Sequence, residues 1–305
     1  MITIVGCGAL GSLFAGTLID AGFPVQGFSR PGAHLEACRR RGLLVEYPDG
    51  SERTYHFPLE DSWERLEPSD LMLVLVKTHQ TAAVAPHLPS ALKPRGMVLT
   101  LQNGLGNAEI LASSLSPGQL ALGTCSYAAF RPAPGNVRWG GTGEIWLGPW
   151  DPTTDVSPLI ASFQKAGLSA HFTPHPQRAL WEKLVVNASL NPVTALAQCP
   201  NGEILRHDGL LNVARTLCDE AVQVARAEGF PLEEETLWQR GLAILDRTKN
   251  NRSSMLQDVE ARRRTEVDAI SGAVLDRGKK HRLPLPMTSC VTALIRALDA
   301  QGDRS

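Results

Sequence analysis

The chain opens with a short β-rich run, Ile2-Thr3-Ile4-Val5, that leads without a break into Gly6-Cys7-Gly8-Ala9-Leu10-Gly11 and then into a helical pattern from Leu10 to Ala21. Gly-x-Gly-x-x-Gly between a strand and a helix has a specific physical use. Gly6 permits the tight turn, and Gly8 lets the backbone approach a pyrophosphate. Gly11 lets the helix pack against the strand, while the free amides of the helix N-terminus face the phosphates. Gly6, Cys7, Gly8, Ala9, Leu10 and Gly11 are therefore candidate dinucleotide ligands. The bland alternative is a glycine-rich turn with no ligand.

The pattern that follows suits such a turn. Pro24 to Phe28, Leu71 to Val76, Met97 to Leu101 and Leu120 to Ser126 repeat the apolar strand character. Leu71 to Val76 is apolar throughout, as expected of a central parallel strand covered on both faces. Leu10 to Ala21 and Thr81 to Leu92 read as crossover helices, and two short strands are expected near Val137-Arg138-Trp139 and Glu144 to Leu147. Two prolines in Thr173-Pro174-His175-Pro176 disfavour helix and mark a boundary, beyond which the segments are longer and helical. Val213, Leu217, Ala221 and Val224 follow a helical period, as do Val267, Ile270 and Val274. The expected class is α/β, with a Rossmann-type doubly wound sheet over residues 1–174 and an all-helical domain over 175–305. A length of 305 residues fits two domains at ~150 residues each.

Lys and Arg total 30 against 31 Asp and Glu, a formal net charge of −1, so there is no global basic field for nucleic acid. No uncharged apolar run approaches the roughly 18 residues of a membrane span, and no basic stretch precedes the first strand to suggest a signal peptide. Cys7, Cys38, Cys125, Cys199, Cys218 and Cys290 lie far apart with no Cys-x-x-Cys, which fits reduced thiols and a cytoplasmic location. No metal site is expected: His171 and His175 have helical spacing, but Pro174 and Pro176 interrupt the helix that would join them. Arg39-Arg40-Arg41 and Arg262-Arg263-Arg264 read as solvated helix faces.

Three further groups carry chemistry. The second strand ends at Ser29-Arg30, where an NAD-selective fold usually places a carboxylate for the ribose hydroxyls. A hydroxyl and a guanidinium suit a 2′-phosphate instead, so the expected cofactor is NADP (NADPH); the alternative is a solvated surface arginine. Lys183, Asn187 and Asn191 recur at i, i+4 and i+8, forming one polar stripe on an otherwise apolar helix. Such a stripe needs partners or a ligand, and a lysine can protonate a carbonyl oxygen as hydride reaches its carbon; a solvated face is the alternative. Ser254 and Gln257 have capping-box spacing, so a helix is expected to start there, with Glu266 further along it. Ser254 is then either a cap alone or also a carboxylate ligand.

These groups, with Val76-Lys77, Gln102-Asn103-Gly104, Lys183 to Pro192, Cys199-Pro200-Asn201-Gly202, Ser253 to Asp258 and Thr265-Glu266-Val267-Asp268, resemble the ketopantoate reductase (2-dehydropantoate 2-reductase) family along nearly the whole chain. The glycine turn is generic to dinucleotide enzymes. The Lys-x-x-x-Asn-x-x-x-Asn-Pro, Asn-Gly and Ser-Ser-Met-x-Gln-Asp blocks, in this order, are specific. The resemblance implies reduction of 2-oxopantoate to pantoate with NADPH, in the pathway to pantothenate and coenzyme A. It implies Lys183 as general acid, and Lys77 and Asn103 beside the cofactor and the reacting carbonyl. Asn103, Lys183, Asn187, Asn191, Asn201 and Ser254 would contact substrate, and Glu266 would complete the active site. Many family members carry a histidine where Trp139 stands, a departure that bears on local packing. The other expectations left open are reduction of a different small 2-oxo acid, a silent NADP-binding sensor, and assembly as a homodimer.

Overall fold

A computed structural model describes residues 1–302. The chain forms two compact units, one of Met1–Gln102 with Asn107–Ala179, the other of Asn103–Gly106 with Leu180 onward.

The first unit is built on β1 (Ile2–Val5), β2 (Val25–Phe28), β3 (Leu43–Glu46), β4 (Glu52–Tyr55), β5 (Leu59–Glu60), β6 (Ser69–Val74), β7 (Leu92–Thr100), β8 (Leu120–Cys125), β9 (Ala128–Ala133), β10 (Asn136–Gly141), β11 (Ile145–Pro149) and β12 (Ala170–Phe172). Eight strands form one sheet in the order β12-β11-β8-β7-β6-β1-β2-β5. β1 lies between β2 and β6 and is parallel to both, with Ile2 opposite Val25 on one side and Leu71 on the other. The chain thus leaves β1 in one direction across the sheet and later returns to its other flank. Ligands of open α/β sheets bind at the carboxyl ends of strands beside such a reversal. Beyond β8 the sheet turns mixed, because β11 runs antiparallel to β8.

A second sheet, β4-β3-β10-β9, combines one parallel pair (β3 with β10) and two antiparallel ones. Its strands pack on α1 (Ala9–Asp20), which also packs on β1 and β2. α1 is therefore covered on two sides, and Leu13, Phe14 and Leu18 are fully buried. Each such side chain contributes about 1.5–3 kcal/mol, so the helix that follows the glycine turn is firmly anchored. Trp139 belongs to this packing. Its ring lies against Tyr47 and Tyr127, and its buried Nε1 has no hydrogen-bond partner among the described residues.

α2 (Ala33–Arg41) carries Arg39 to Arg41 on its exposed side, and Arg39 pairs there with Glu60 and Asp61. The expected crossover helix over Thr81 to Leu92 is in fact broken. α3 (Thr81–Val84) and α4 (Leu88–Ala91) alternate with 3₁₀ turns at Thr78–Gln80 and Ala85–His87. Pro86 and Pro89 each sit in the first turn of a new piece, where a missing N–H costs nothing, but they cannot continue the preceding one. α5 (Asn107–Ala112) and α6 (Ser157–Lys165) complete the unit.

The second unit comprises α7 (Pro176–Ala197) from Leu180 on, α8 (Glu203–Arg206), α9 (Asp208–Ala227), α10 (Glu234–Arg247), α11 (Ser254–Glu260), α12 (Ala273–Lys280) and α13 (Pro286–Gly302), with a π-helical turn at Asp268–Gly272. α9 packs against α10, α12 and α13 through the buried stripe of Leu217, Ala221 and Val224, with Val213 at its rim. Two expectations need correction here. The helix that begins at Ser254 ends at Glu260, and Arg262 adopts a left-handed conformation (φ 51°) that reverses the chain. Glu266 is therefore not further along that helix, and Arg262 to Arg264 are not a helix face. Arg263 instead bonds Asp258, and Arg264 bonds Asp268. Among the described residues no helix is long and apolar enough to cross a membrane.

Candidate active site

The glycine turn is fixed by its neighbours. Gly6 has φ +103°, and a Cβ there would lie 2.7 Å from the Val76 nitrogen, so both conformation and space demand glycine. A Cβ on Gly11 would run into the Gly6 carbonyl oxygen, while one on Gly8 would meet nothing within 4 Å. The turn is held by Gly6 N–H donating to Phe28 O at 2.9 Å and Gly8 N–H to Gly6 O at 2.8 Å. Cys7 points its thiol into the core, where burial pushes it up and keeps it protonated. Its contribution to any ligand is the backbone. Gly8 occupies the N-cap of α1 with no side-chain cap, so the amides of Ala9 and Leu10 open the helix.

Arg30 and Lys77 follow the ends of β2 and β6, the two strands that flank β1, and so lie along the same carboxyl edge as the turn. Arg30 is exposed but directed. With the Gln80 amide oriented to satisfy its neighbours, its oxygen accepts from Arg30 Nη2 at 2.6 Å and from Nη1 at 3.3 Å. Lys77 precedes the 3₁₀ turn that carries Gln80. Buried Gln102 ties that loop down, donating from Nε2 to Val76 O at 2.7 Å and to Thr81 Oγ1 at 2.8 Å. Thr81 in turn donates to Asn107 Oδ1 at 2.8 Å.

In the second unit α7 is buried almost all round from Leu184 to Ala195, with Asn187 half-buried and Asn191 9% exposed. Lys183 is likewise half-buried. The stripe is thus not a solvated face. The cap of α11 is Ser253 rather than Ser254: Leu256 N–H donates to Ser253 Oγ at 3.1 Å, and Thr194 Oγ1 of α7 donates to it at 2.7 Å. Ser254 is left exposed as the first residue of α11, so its hydroxyl does not serve as the cap. Asn201 is engaged structurally, donating from Nδ2 to Thr248 Oγ1 at 2.9 Å while its backbone N–H reaches Asn251 O.

Asn103 groups with this second unit, where its Nδ2 donates to Glu266 Oε2 at 3.2 Å. The structure therefore brings the sequence candidates together in two sets. Gly6 to Gly11, Arg30 and Lys77 share one sheet edge. Lys183, Asn187 and Asn191 share a helix, and Asn103 is bonded to Glu266. Asn201 and Ser254 sit at the starts of neighbouring segments rather than on α7. Sequence reasoning missed Gln80, whose only local signal is its place three residues after Lys77. It also missed Ser253, because the spacing to Gln257 points to its neighbour Ser254 instead.

A phosphate-type glycine turn on a doubly wound sheet, followed by a helical unit with a half-buried lysine–amide stripe, defines a two-domain NAD(P)-binding oxidoreductase class. The family model for ketopantoate reductase PanE/ApbA matches residues 2–152, and that for its C-terminal domain matches residues 176–299. A 2-dehydropantoate 2-reductase of Halobacterium salinarum is 35% identical over 303 residues, covering 99% of both chains. The crystal structure of a PanE/ApbA family ketopantoate reductase from Ralstonia eutropha JMP134 superimposes with a TM-score of 0.91 at 30% identity, covering 99% of this chain and 100% of that one. The ternary structure of D-mandelate dehydrogenase with NADH and anilino(oxo)acetate has a TM-score of 0.93 at 24% identity, over 99% of this chain and 100% of that one, a likeness of fold alone. The chain belongs to the ketopantoate reductase family.

Proposed function

We propose that this chain reduces 2-dehydropantoate to pantoate using NADPH, with the first unit as the cofactor-binding domain and the helical unit as the substrate and catalytic domain. The observation that carries the proposal is the α7 stripe: a lysine and two amides on a helix whose other positions from Leu184 to Val193 are buried and, Ser189 apart, apolar. Polar groups are seldom placed there unless a ligand or partner repays their desolvation.

The first unit fits a dinucleotide. Above Gly8 there is room for close backbone approach, and the amides after it open a long buried helix. Gly6 to Gly11 would hold the pyrophosphate, Arg30 the 2′-phosphate, and Lys77 and Asn103 the region nearer the nicotinamide. NADPH, when bound, supplies the hydride for the 2-oxo carbon. Lys183 donates a proton to the carbonyl oxygen as negative charge develops there, converting ketone to alcohol. Asn187, Asn191, Asn201 and the Ser254 hydroxyl orient the 2-oxo acid, with Ser254 at the carboxylate. Glu266 accepts the substrate's terminal hydroxyl.

Two measurements test this. NADPH oxidation against a panel of 2-oxo acids should be fastest with ketopantoate. A stronger response to another small 2-oxo acid would reassign the substrate, and silence towards all of them would favour a sensor. The cofactor is tested at Arg30. Loss of a charge-assisted phosphate contact is worth about 1.5–3 kcal/mol, so Arg30→Ala should weaken NADPH binding by roughly tenfold to a hundredfold and NADH much less. Equal losses for both cofactors would make Arg30 structural.

A further inference from the structure

The turn that carries Glu266 is pinned on both sides by α13. Asp299 accepts the Thr265 backbone N–H at 3.2 Å on Oδ1 and 3.3 Å on Oδ2, and Thr265 Oγ1 donates to Oδ2 at 2.9 Å. One turn earlier on α13, Arg296 Nε donates to Asp268 Oδ1 at 2.8 Å. Thr265 is itself buried, and its Oγ1 also accepts from Val267 N–H at 3.3 Å. The residue immediately before Glu266 is thus held through both its backbone and its side chain.

The chain then enters the π-turn, closed by Gly272 N–H on Val267 O at 2.8 Å, and the Ala269 carbonyl accepts Leu105 N–H at 3.2 Å. Gly104 (φ +82°) packs directly on Ala269, where a Cβ would collide with the Ala269 carbonyl oxygen. This contact sets the Asn103 segment in register with the Glu266 turn, and the Asn103–Glu266 hydrogen bond follows from it. A π-turn is uncommon in proteins and is often retained at functional sites.

We propose that Asp299 is a positioning residue for the Glu266 carboxylate: acting through Thr265, it fixes the turn so that Glu266 and Asn103 stay aligned on the substrate's terminal hydroxyl. The proposal rests on the reading of Glu266 as the acceptor of that hydroxyl. Asp299 lies 33 residues beyond Glu266 in sequence, outside every block that carries the family resemblance. Displacing a group by about 1 Å can cost on the order of a hundredfold, so an anchor that touches no substrate can still govern specificity.

The test is a double-mutant cycle on Asp299→Ala and Glu266→Ala, with kcat and KM measured for ketopantoate and for its deoxy analogue 2-oxo-3,3-dimethylbutanoate, NADPH in excess. Thermal midpoints are recorded for each variant. Asp299→Ala should reduce the preference for ketopantoate by roughly tenfold to a hundredfold, through the hydroxylated substrate alone. Asp299→Asn, which keeps one acceptor oxygen, should fall between Asp299→Ala and the parent. In the Glu266→Ala background, Asp299→Ala should change the preference by less than about twofold, because its effect passes through a group already gone. Thr265→Val should reproduce the loss and Thr265→Ser restore it, which keeps the test usable should Asp299→Ala fail to fold. Equal losses on both substrates in both backgrounds would make Asp299 a merely structural anchor and overturn the proposal. An unchanged preference in the Asp299 variants, with a collapsed one in Glu266→Ala, would overturn the proposal and leave the hydroxyl assignment standing. An unchanged preference in Glu266→Ala would remove both.

Discussion

Lys183→Ala is expected to lower kcat by about 10²–10⁴-fold while NADPH still binds, the usual contribution of a positioned general acid. On the proposed reaction, hydride reaching the 2-oxo carbon leaves negative charge on the carbonyl oxygen, which a proton relieves. Lys183 is half-buried on α7, one helical turn from Asn187 and two from Asn191, so proton donor and amides project from one face of a helix that packing holds still. Alanine is the best helix former, so the substitution should preserve α7 and isolate the chemistry. Lys183→Arg keeps the charge, but a guanidinium holds its proton far more tightly than an ammonium and is a poor proton donor, so turnover should remain low. Cofactor binding followed by NADPH fluorescence separates loss of chemistry from loss of fold. Near-parental turnover in Lys183→Ala would take the lysine out of the mechanism.

Much of the first unit was legible because its signals are local. Strand, glycine turn and helix lie within residues 2–20, and the continuous apolar run at Leu71 to Val76 corresponds to β6, between β1 and β7. Of the second sheet only β10 was legible, as the short strand expected near Val137-Arg138-Trp139. Three of the four residues of β4 are exposed, and β3 is joined to β10 across some ninety residues, a pairing no window of sequence contains. The segment Thr81 to Leu92 carries Pro86 and Pro89, each of which starts a new short piece and so divides what the sequence suggests as one crossover helix. In the second unit, the choice of Ser253 over Ser254 as cap is made by Thr194 on α7, a tertiary partner. The reversal that takes Glu266 off α11 turns on Arg262, a non-glycine residue in the left-handed region, for which sequence offers no warning. The candidate residues of the site were nameable from the blocks they share with a family. That Asn103 bonds Glu266 across 163 residues, and that Asp299 holds the turn beneath it, are products of folding alone.

Ketopantoate is expected to outperform 2-oxo-3,3-dimethylbutanoate by as much as about 10⁴-fold in kcat/KM, and Glu266→Ala is expected to narrow that gap. The two acids share the 2-oxo carboxylate and the branched carbon and differ in one terminal hydroxyl. A carboxylate accepts and does not donate, so ionised Glu266 can receive that hydroxyl but would repel a second carboxylate at the same place. The hydrogen bond from Asn103 orients the carboxylate. With the deoxy analogue bound, a methyl group faces the charged oxygen and displaces whatever solvated it, which is the circumstance that makes hydroxyl-reading sites so selective. Removing the carboxylate takes away both the reward for the hydroxyl and the penalty for its absence. The two substrates should then converge, mainly through a fall in the ketopantoate rate. Both acids are assayed on both enzymes with NADPH in excess. Equal preference in the parent enzyme would end the assignment of Glu266 as the hydroxyl acceptor and favour a reductase that reads only the 2-oxo acid end of its substrate.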